Sequence, residues 1–298
     1  MMEMWPALSD YAKVLTIPEK KESLFFYDTG SPGANAGLPV IFIHGLGDEA
    51  DSWRHLIPLV SGKSRVIALD LPGFGRSRAG GKINLKRHAE AVLEMLELTG
   101  PAVLAGSSMG AIIAEMAALQ RPEKAAGLLL LDGCLPASGR AGASMLLMAL
   151  PVAGKRWYKA FRKNPEGAYN SLRPYYTDLD ALPDPDRVFL KKRVMDRVNS
   201  QSQFRAYFSS LRSLVAAAAV RNRSFSRKIA DYPGKIYLGW GDQDMIMPRD
   251  SADAIKAARP DSQMCIFAGA GHLPHQENAP AVAEFLLALI SGAEPNRK

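Results

Sequence analysis

Short runs of apolar residues, bounded by turn residues, recur along the 298-residue chain. A run that is apolar at every position is typical of a strand buried on both faces of a parallel sheet. Between several runs, apolar residues recur with helical spacing. The pattern predicts strands at 39–43, 65–69, 101–105, 127–131, 235–238 and 263–267, and helices at 84–99, 109–120, 249–258 and 279–291. Alternating strands and helices predict a doubly wound α/β sheet.

Two further patterns near the N-terminus, 11–17 and 23–28, predict an antiparallel pair that joins this sheet. The alternation of strands and helices stops after Asp132 and resumes at Lys235. The residues between them, 133–234, have mainly helical patterns interrupted by prolines. We therefore predict an eight-stranded, mostly parallel sheet flanked by helices, formed by residues 1–132 and 235–298. Residues 133–234, called the cap segment below, are predicted to be a helical cap inserted after the sixth strand.

The charge of the chain is concentrated in the cap segment. The net charge is +7, and residues 133–234 contain 18 Lys and Arg against 7 Asp and Glu, whereas the rest of the chain contains 19 against 23. These basic residues are interleaved with apolar ones and form no long run, so nucleic-acid binding is the least favoured interpretation. A solvated outer face of helices, or an electropositive rim that attracts an anionic substrate or an acidic carrier protein, explains them better.

Composition excludes several classes of protein. Hydrophobic residues make up 47% of the chain and charged residues 22%, which is ordinary for a globular protein and excludes intrinsic disorder. No apolar run reaches about 18 residues, so we do not expect an integral membrane protein. Cys134 and Cys265 are too few for a disulfide framework. With no secretory signal pattern at the N-terminus, we expect a cytoplasmic protein with free thiols.

The sequence Gly106-Ser107-Ser108-Met109-Gly110 lies directly between a predicted strand and a predicted helix. A serine on so tight a turn is held in a strained conformation, and the flanking glycines remove Cβ atoms that would collide with the strand and the helix. The hydroxyl of Ser108 would then project from the carboxyl edge of the sheet. This context predicts Ser108 as a nucleophile.

A serine nucleophile needs a base, and five histidines are available. His272 lies in a glycine-rich loop directly after the last predicted strand, so it also reaches the carboxyl edge of the sheet. His275 is expected on the surface of that loop, and His44 is expected to shape a turn. His272 is therefore the predicted base.

Three aspartates compete for the role of the acid that orients this base. Asp244 and Asp242 follow the predicted strand at 235–238, and Asp132 ends the strand at 127–131. All three preserve the chain order Ser, Asp, His. The residues alone favour Asp244 but leave Asp242 and Asp132 open.

Five motifs together resemble the α/β-hydrolase superfamily, specifically its capped, esterase-like serine hydrolases. They are His44-Gly45-Leu46-Gly47 followed by Trp53, the stretch 70–77, the Ser108 turn, Gly241-x-x-Asp244-x-x-x-Pro248, and Gly271-His272 followed by Glu277. The resemblance implies the α/β-hydrolase fold, the triad Ser108, Asp244 and His272, and an oxyanion hole formed by the backbone N–H groups of Leu46 and Met109. It implies no metal and no organic cofactor.

The chemistry expected from this resemblance is hydrolysis of a small carboxylic ester through an acyl-enzyme on Ser108. We expect an apolar acyl group, and the basic cap segment would also suit an anionic substrate. The alternatives are a C–C bond hydrolase of ring-cleavage products, an acyl-thioesterase and a ligand receptor. C–C hydrolases of this kind commonly carry Gly-Pro-Gly where this chain has Gly47-Asp48-Glu49. Candidate substrate-binding residues are Gly45, Trp53, Met145, Met148, Trp157, Phe161, Met245 and Leu273.

Overall fold

The computed structural model describes residues 3–135, 143–161, 164–219, 223–247 and 249–293. Its strands form one eight-stranded sheet in the order β1-β2-β4-β3-β5-β6-β7-β8. Their bounds are β1 Ala12–Ile17, β2 Glu22–Asp28, β3 Gly37–Ile43, β4 Ser64–Leu69, β5 Ala102–Ser107, β6 Ala125–Leu131, β7 Lys235–Gly241 and β8 Gln263–Phe267. Strand β2 pairs antiparallel with both β1 and β4, and every other pairing is parallel. The predicted fold class is therefore confirmed.

Helices cover both faces of the sheet. Their bounds are α1 Leu56–Ser61, α2 Leu85–Thr99, α3 Met109–Gln120, α4 Ala143–Ala149, α5 Ala153–Phe161, α6 Pro165–Asn170, α7 Asp184–Asn199, α8 Gln201–Ala219, α9 Arg223–Ala230, α10 Asp250–Ala258, α11 Pro274–Glu277 and α12 Ala279–Ser291. Apolar residues of α2, α3 and α10 form one core, and those of α1 and α12 form the other. Strand β3 contributes side chains to both cores, because Ile41 and Ile43 face the first core while Val40 and Phe42 face the second.

Several observed strands, among them β5 and β7, extend beyond the apolar runs that predict them. Strand β5 continues through Gly106 to Ser107, which still pairs with Leu131 of β6. Strand β7 continues to Gly241, which pairs with Phe267 of β8. Backbone pairing does not require apolar side chains, so hydropathy alone places the ends of these strands too early.

The cap segment contains helices α4 to α9, all between β6 and β7. The division of the chain into a core and a cap at residues 132 and 235 stays a prediction. In the described parts of the chain, no helix is both long and apolar enough to cross a membrane.

Strands β5, β6, β7 and β8 are consecutive in the chain and adjacent in the sheet. Parallel strands present their carboxyl ends at one edge, which is where open α/β sheets bind ligands. Ser108, Asp132, Asp244 and His272 each follow one of these four strands, so the fold gathers them along one edge.

Candidate active site

Ser108 occupies a strained turn between β5 and α3. Its φ angle is 54°, in the region that side-chain-bearing residues rarely adopt, and its backbone N–H donates to Leu131 O at 2.8 Å. A Cβ atom on Gly110 would lie 2.0 Å from Ile43 O, and one on Gly106 would lie 2.3 Å from the Gly110 carbonyl carbon. Helix α3 therefore approaches the sheet as closely as the glycine pattern predicts, and Ser108 marks the start of that helix.

The loop after β3 passes directly beside Ser108. A Cβ atom on Gly45 would lie 3.4 Å from the Ser108 Cβ. The backbone N–H groups of Leu46 and Met109, the predicted oxyanion donors, make no hydrogen bond to another described residue. Each amide is thus free for a ligand at this edge of the sheet.

Asp244 and His272 form a buried pair. His272 Nδ1 lies 2.9 Å from Asp244 Oδ2, and the two side chains are only 1% and 2% exposed. The other carboxylate oxygen of Asp244 accepts the N–H groups of Ile246 at 2.7 Å and Met247 at 3.1 Å, which fixes the carboxylate plane. Exposed Asp242 instead accepts the N–H of Gly269. The structure thus brings His272 together with Asp244 and not with Asp242.

The Ser108 hydroxyl is not hydrogen-bonded to His272 among the described residues. Hydrogen bonds of this kind are often long before a substrate binds. The structure therefore places the serine and the Asp244–His272 pair at one edge of the sheet.

Asp132, the third candidate acid, lies behind the pair. Its Oδ1 accepts the Gly241 N–H at 2.9 Å, and its buried Oδ2 has no hydrogen-bond partner among the described residues. Ligand atoms of Asp132, Asp244 and His272 lie within 4.8 Å of one another. Burial, and then the charge of Asp244, raises the pKa of Asp132 well above its usual range. Burial beside the Asp244 carboxylate therefore disfavours the charged form of Asp132.

The Asp132, Asp244 and His272 groups are close enough together to ligate a metal ion. The 2.9 Å contact between His272 Nδ1 and Asp244 Oδ2 is, however, a hydrogen-bond distance, and it already uses an atom of each group that would ligate the ion. The arrangement of His272 and Asp244 fits proton transfer better than metal binding.

The loop that carries His272 is tied to the cap segment. His272 N–H donates to Tyr175 O at 3.0 Å. Glu277 accepts the Gly271 N–H at 2.8 Å with one oxygen and the Thr177 N–H at 2.7 Å with the other. Glu277 thus joins residues 271–272 to residues 175–177, a role that its position in the sequence did not reveal.

The loop after β3 is held by a buried ionic network. Arg193 of α7 and Glu49 are both fully buried, and Arg193 Nε donates to Glu49 Oε1 at 2.5 Å. Arg197 donates to the same Glu49 oxygen at 2.8 Å and to Asp48 at 2.6 Å. Burial alone would raise the pKa of Glu49, but the charges of Arg197 and Arg193 outweigh it and lower that pKa. The cap segment therefore fixes the loop that contains Leu46.

Two predictions from the sequence are wrong, and both concern side chains that lie in the core beside α1 and α12. Trp53, a candidate substrate contact, has no exposed area; it stacks on Phe42 at 4.6 Å in the core beneath α1 and α12. His275, expected on a loop surface, is also fully buried, and its Nε2 lies 2.9 Å from Ser52 Oγ. Burial and then the charge of Arg54 lower the pKa of His275 to about 3. Both side chains are therefore structural. Trp53 lies in the core that α1 and α12 form against one face of the sheet, and His275 packs against its ring.

His44 shapes a turn, as predicted. Its Nδ1 lies 2.8 Å from Gly45 O, and its Nε2 accepts the Leu71 N–H at 3.0 Å. Burial lowers the pKa of this fully buried imidazole. His44 therefore joins the turns after β3 and β4 and takes no part in the Asp244–His272 pair.

The remaining substrate candidates fall into three groups. Gly45 lies beside Ser108, Met148 packs in one cluster with Leu46, and Leu273 packs against cap residues. Trp157 is 43% exposed and Met245 is 86% exposed, so both face solvent and the structure does not bring them to Ser108. The side chains of Met145 and Phe161 lie outside the described residues.

A surface cavity of about 710 Å³ lies elsewhere, lined by residues that include Gly37, Lys63 and Ser291. Gly37 begins β3 and Lys63 precedes β4, so this cavity opens at the amino edge of the sheet. It is therefore separate from the edge that carries Ser108 and is not the candidate active site.

Known proteins share this fold and this arrangement of elements. A 2-hydroxy-6-oxononadienedioate/2-hydroxy-6-oxononatrienedioate hydrolase from Cupriavidus pinatubonensis is 28% identical over 274 residues, which cover 87% of this chain and 89% of that protein. The dihydrolipoyllysine-residue acetyltransferase component of the acetoin cleaving system of Pseudomonas putida is 26% identical over 87% of this chain, which spans 65% of that protein. The solved 2-hydroxy-6-oxo-6-phenylhexa-2,4-dienoate hydrolase of a Rhodococcus strain superposes with a TM-score of 0.76 at 18% identity, covering 94% of this chain and 99% of that structure.

These likenesses agree with a broader match to a family model. Residues 40–285, from the middle of β3 into α12, match the model described as the alpha/beta hydrolase family. The matched region contains Ser108, Asp244, His272 and the whole cap segment. The chain therefore belongs to the alpha/beta hydrolase family.

Proposed function

We propose that this hydrolase cleaves carboxylic esters through an acyl-enzyme on Ser108. The observation that carries the proposal is the buried His272–Asp244 hydrogen bond of 2.9 Å at the sheet edge where Ser108 occupies its strained turn. A carboxylate bonded to Nδ1 holds the imidazole in the tautomer that leaves Nε2 free to accept a proton.

In the proposed cycle, His272 Nε2 takes the Ser108 proton while the hydroxyl oxygen attacks the acyl carbon. The N–H groups of Leu46 and Met109 donate to the developing oxyanion. The C–O bond to the alcohol then breaks, and His272 returns the proton to the leaving alkoxide. A water molecule, deprotonated by His272, attacks the acyl-enzyme, which releases the carboxylic acid and restores Ser108.

The charges around the oxyanion loop favour a neutral substrate. Arg193 and Arg197, the cap arginines nearest this loop, are both paired with Glu49, and Arg197 is also paired with Asp48. Cations that are already neutralised by buried carboxylates attract a substrate carboxylate weakly. This pairing supports an uncharged ester over an anionic ring-cleavage product.

The neighbours of the oxyanion loop favour an apolar acyl group. Leu46 packs against the buried cluster of Tyr158, Phe208 and Leu211, and Met148 of α4 and Phe204 and Tyr207 of α8 pack against the same cluster. Tyr207 also lies against Gly47, where an added Cβ atom would meet its ring at 3.1 Å. Aliphatic and aromatic side chains of the cap segment thus supply an apolar wall next to the proposed oxyanion hole.

C–C bond hydrolysis is the second candidate, and the comparison with the Cupriavidus hydrolase favours it. That relative is named for dienoic substrates and aligns over 87% of this chain. The same serine, histidine and aspartate would serve, with a carbon leaving group in place of an alcohol.

Cytoplasmic localisation is also proposed, because Cys134 and Cys265 are both free.

The test is turnover of p-nitrophenyl esters of increasing acyl length beside a 2-hydroxy-6-oxo-dienoate substrate. We expect ester turnover far above background, with Ser108→Ala lowering kcat on the order of 10⁴-fold or more. Ser107→Ala is the matched control because its buried hydroxyl, one residue away, has no partner among the described residues. Turnover of the dienoate alone would replace the ester proposal with the second candidate. Labelling of Ser108 by a fluorophosphonate without turnover of either substrate would instead support a thioesterase or a receptor.

A further inference from the structure

Helices α4 and α5 form a hairpin, residues 143–161, whose outer face is apolar. Of the twelve large hydrophobic side chains that are exposed among the described residues, five lie in this hairpin. They are Leu146 at 46%, Leu147 at 46%, Leu150 at 48%, Val152 at 62% and Trp157 at 43% exposure. The other seven are scattered over the remaining described chain, so exposed apolar side chains are concentrated in this hairpin.

The charges of the hairpin have one sign. Residues 143–161 contain Lys155, Arg156 and Lys159 and no aspartate or glutamate. All three cations are exposed, and no ion pair joins them to another described residue. Lys159 Nζ lies 5.3 Å from the Phe204 ring centroid, which leaves its charge at the edge of the apolar face. The hairpin therefore presents unpaired positive charge next to exposed apolar side chains.

The inner face of the hairpin is already satisfied by the cap segment. Tyr158 is 5% exposed, and its ring centroid lies 5.6 Å from that of Phe204 and 5.5 Å from that of Phe208, both on α8. Met148 joins the same cluster from α4. The hairpin cannot bury its outer leucines and Trp157 by turning over without exposing this cluster, so the apolar face stays directed outward.

We propose that the α4–α5 hairpin docks on the surface of an anionic lipid bilayer. Exposed leucines and a tryptophan would enter the boundary between headgroups and acyl chains, and Lys155, Arg156 and Lys159 would lie among anionic headgroups. A second copy of this chain is a poor occupant, because pairing two hairpins would bring six like charges together. The surface concerns binding and not cleavage, so it holds whichever bond the site hydrolyses.

The position of the hairpin connects this surface to the active-site edge. Met148 of α4 and Leu46 pack against the same buried cluster, which includes Tyr158 of α5, so the hairpin is close to the loop that carries the proposed oxyanion donor. A bilayer on the outer face would thus lie one helix away from the apolar wall described above. Molecules that partition into lipid would be concentrated next to the cap segment.

The experiment is sedimentation of the full chain with vesicles of phosphatidylcholine mixed with phosphatidylglycerol, and with vesicles of phosphatidylcholine alone. We expect binding to the mixed vesicles that weakens with added salt, and little binding to the neutral ones. Lys155→Gln and Arg156→Gln should each lower the partition coefficient about fivefold. Replacing both Leu150 and Trp157 with serine should lower it at least about tenfold.

Controls come from other exposed sites of the same kind. Val188→Ser removes a 69% exposed apolar side chain on α7, and Lys86→Gln removes an exposed cation on α2; both should bind as the wild type does. Circular dichroism checks that every variant is folded. Brominated lipids should quench tryptophan fluorescence in the wild type, and Trp157→Phe should remove most of that quenching. Trp53 and Trp240 are buried, and Trp5 packs against His55 and Phe189, outside the hairpin.

Three results would overturn the proposal: equal binding to neutral and anionic vesicles, no binding to either, or hairpin variants that bind like the two controls. Light scattering without vesicles distinguishes a further case. A dimer of the wild type that dissociates in the Leu150 and Trp157 double variant would show that a second copy covers the face, and this too would reject the bilayer.

Discussion

Replacing Asp132 with asparagine tests whether a protonated carboxyl group lies behind the Asp244–His272 pair. Asp132 is fully buried and accepts the Gly241 N–H at 2.9 Å. An asparagine side chain has the same shape, keeps an oxygen for that N–H and carries N–H donors where the protonated acid carries O–H. It cannot ionise. The substitution therefore removes the titration of Asp132 while keeping its packing and its hydrogen bond.

The expected effect follows from linkage between protonation and folding. The folded-state pKa of Asp132 is raised by burial and by the charge of Asp244, so its stabilising contribution is complete below the ordinary aspartate pKa of about 4 and is lost as pH rises toward the folded-state pKa. In that window the wild type loses about 1.4 kcal/mol per pH unit through this group. Between pH 5 and pH 7, the stability of Asp132→Asn should therefore rise relative to the wild type, by about 1.4 kcal/mol for each pH unit that lies below the folded-state pKa.

The assay is urea unfolding followed by tryptophan fluorescence at pH 5, 6 and 7. Asp10→Asn, at an exposed aspartate of the N-terminal segment, is the matched control and should parallel the wild type. Asp132→Ala should be about 1–3 kcal/mol less stable than Asp132→Asn at every pH, since it leaves the buried Gly241 N–H without an acceptor. If the difference between Asp132→Asn and the wild type stays constant from pH 5 to pH 7, Asp132 is not protonated in the folded protein and the reasoning is refuted.

Three further predictions concern parts of the structure around this pair. Arg193→Met and Glu49→Gln should each lower stability in urea unfolding, and the double variant should cost less than their sum, because each single change removes one partner of a buried charge. Each loss should stay below about 3 kcal/mol, since Arg197 still pairs with Glu49 and Asp196 still pairs with Arg193. Gly110→Ala, whose added Cβ would lie 2.0 Å from Ile43 O, should lower kcat by shifting the start of α3 and cost about 1–3 kcal/mol of stability. His275 has a pKa lowered to about 3, so its contribution is complete above about pH 6.5 and is lost as pH falls; His275→Gln should flatten the loss of stability from pH 6.5 to pH 4 in the same assay.

Each of these has a result that would contradict it. Strictly additive losses in the Arg193 and Glu49 cycle would show that the two charges do not depend on each other. Wild-type kcat and stability in Gly110→Ala would show that α3 does not approach the sheet so closely. An acid profile unchanged by His275→Gln would show that this imidazole is not buried in its neutral form.

The sheet and the order of its elements could be predicted from the sequence because both follow from local patterns. Fully apolar runs marked the parallel strands, and the glycines around Ser108 marked the close approach of α3 to β3. The resemblance to α/β-hydrolases selected Asp244 over Asp242, and the hydrogen bond to His272 agrees with that choice. Information that lies within about ten residues of a site was sufficient for these predictions.

Predictions failed where the answer depends on which distant segments meet. Trp53 and His275 lie in motifs next to candidate site residues, but they pack against each other at 4.2 Å between ring centroids, in the core on one face of the sheet. Neither side chain has an amphipathic pattern around it that would reveal this contact. The pairing of Arg193 with Glu49 spans 144 residues, and the tie from Glu277 to Thr177 spans 100. No local pattern encodes partners at such separations.

The two parts of the cap segment are attached to the core by different forces, and this difference bears on how the site is used. Helix α7 holds the loop that carries Leu46, the proposed oxyanion donor, through buried ion pairs, and residues 175–177 hold the His272 loop through Glu277. Directional contacts of this kind fix geometry, which a preorganised oxyanion site requires. The α4–α5 hairpin meets α8 through apolar contacts, which tolerate exchange of one hydrophobic side chain for another. Substitutions that alter acyl-chain preference without loss of kcat should therefore be found in the hairpin, whereas substitutions in α7 should lower kcat for every ester alike.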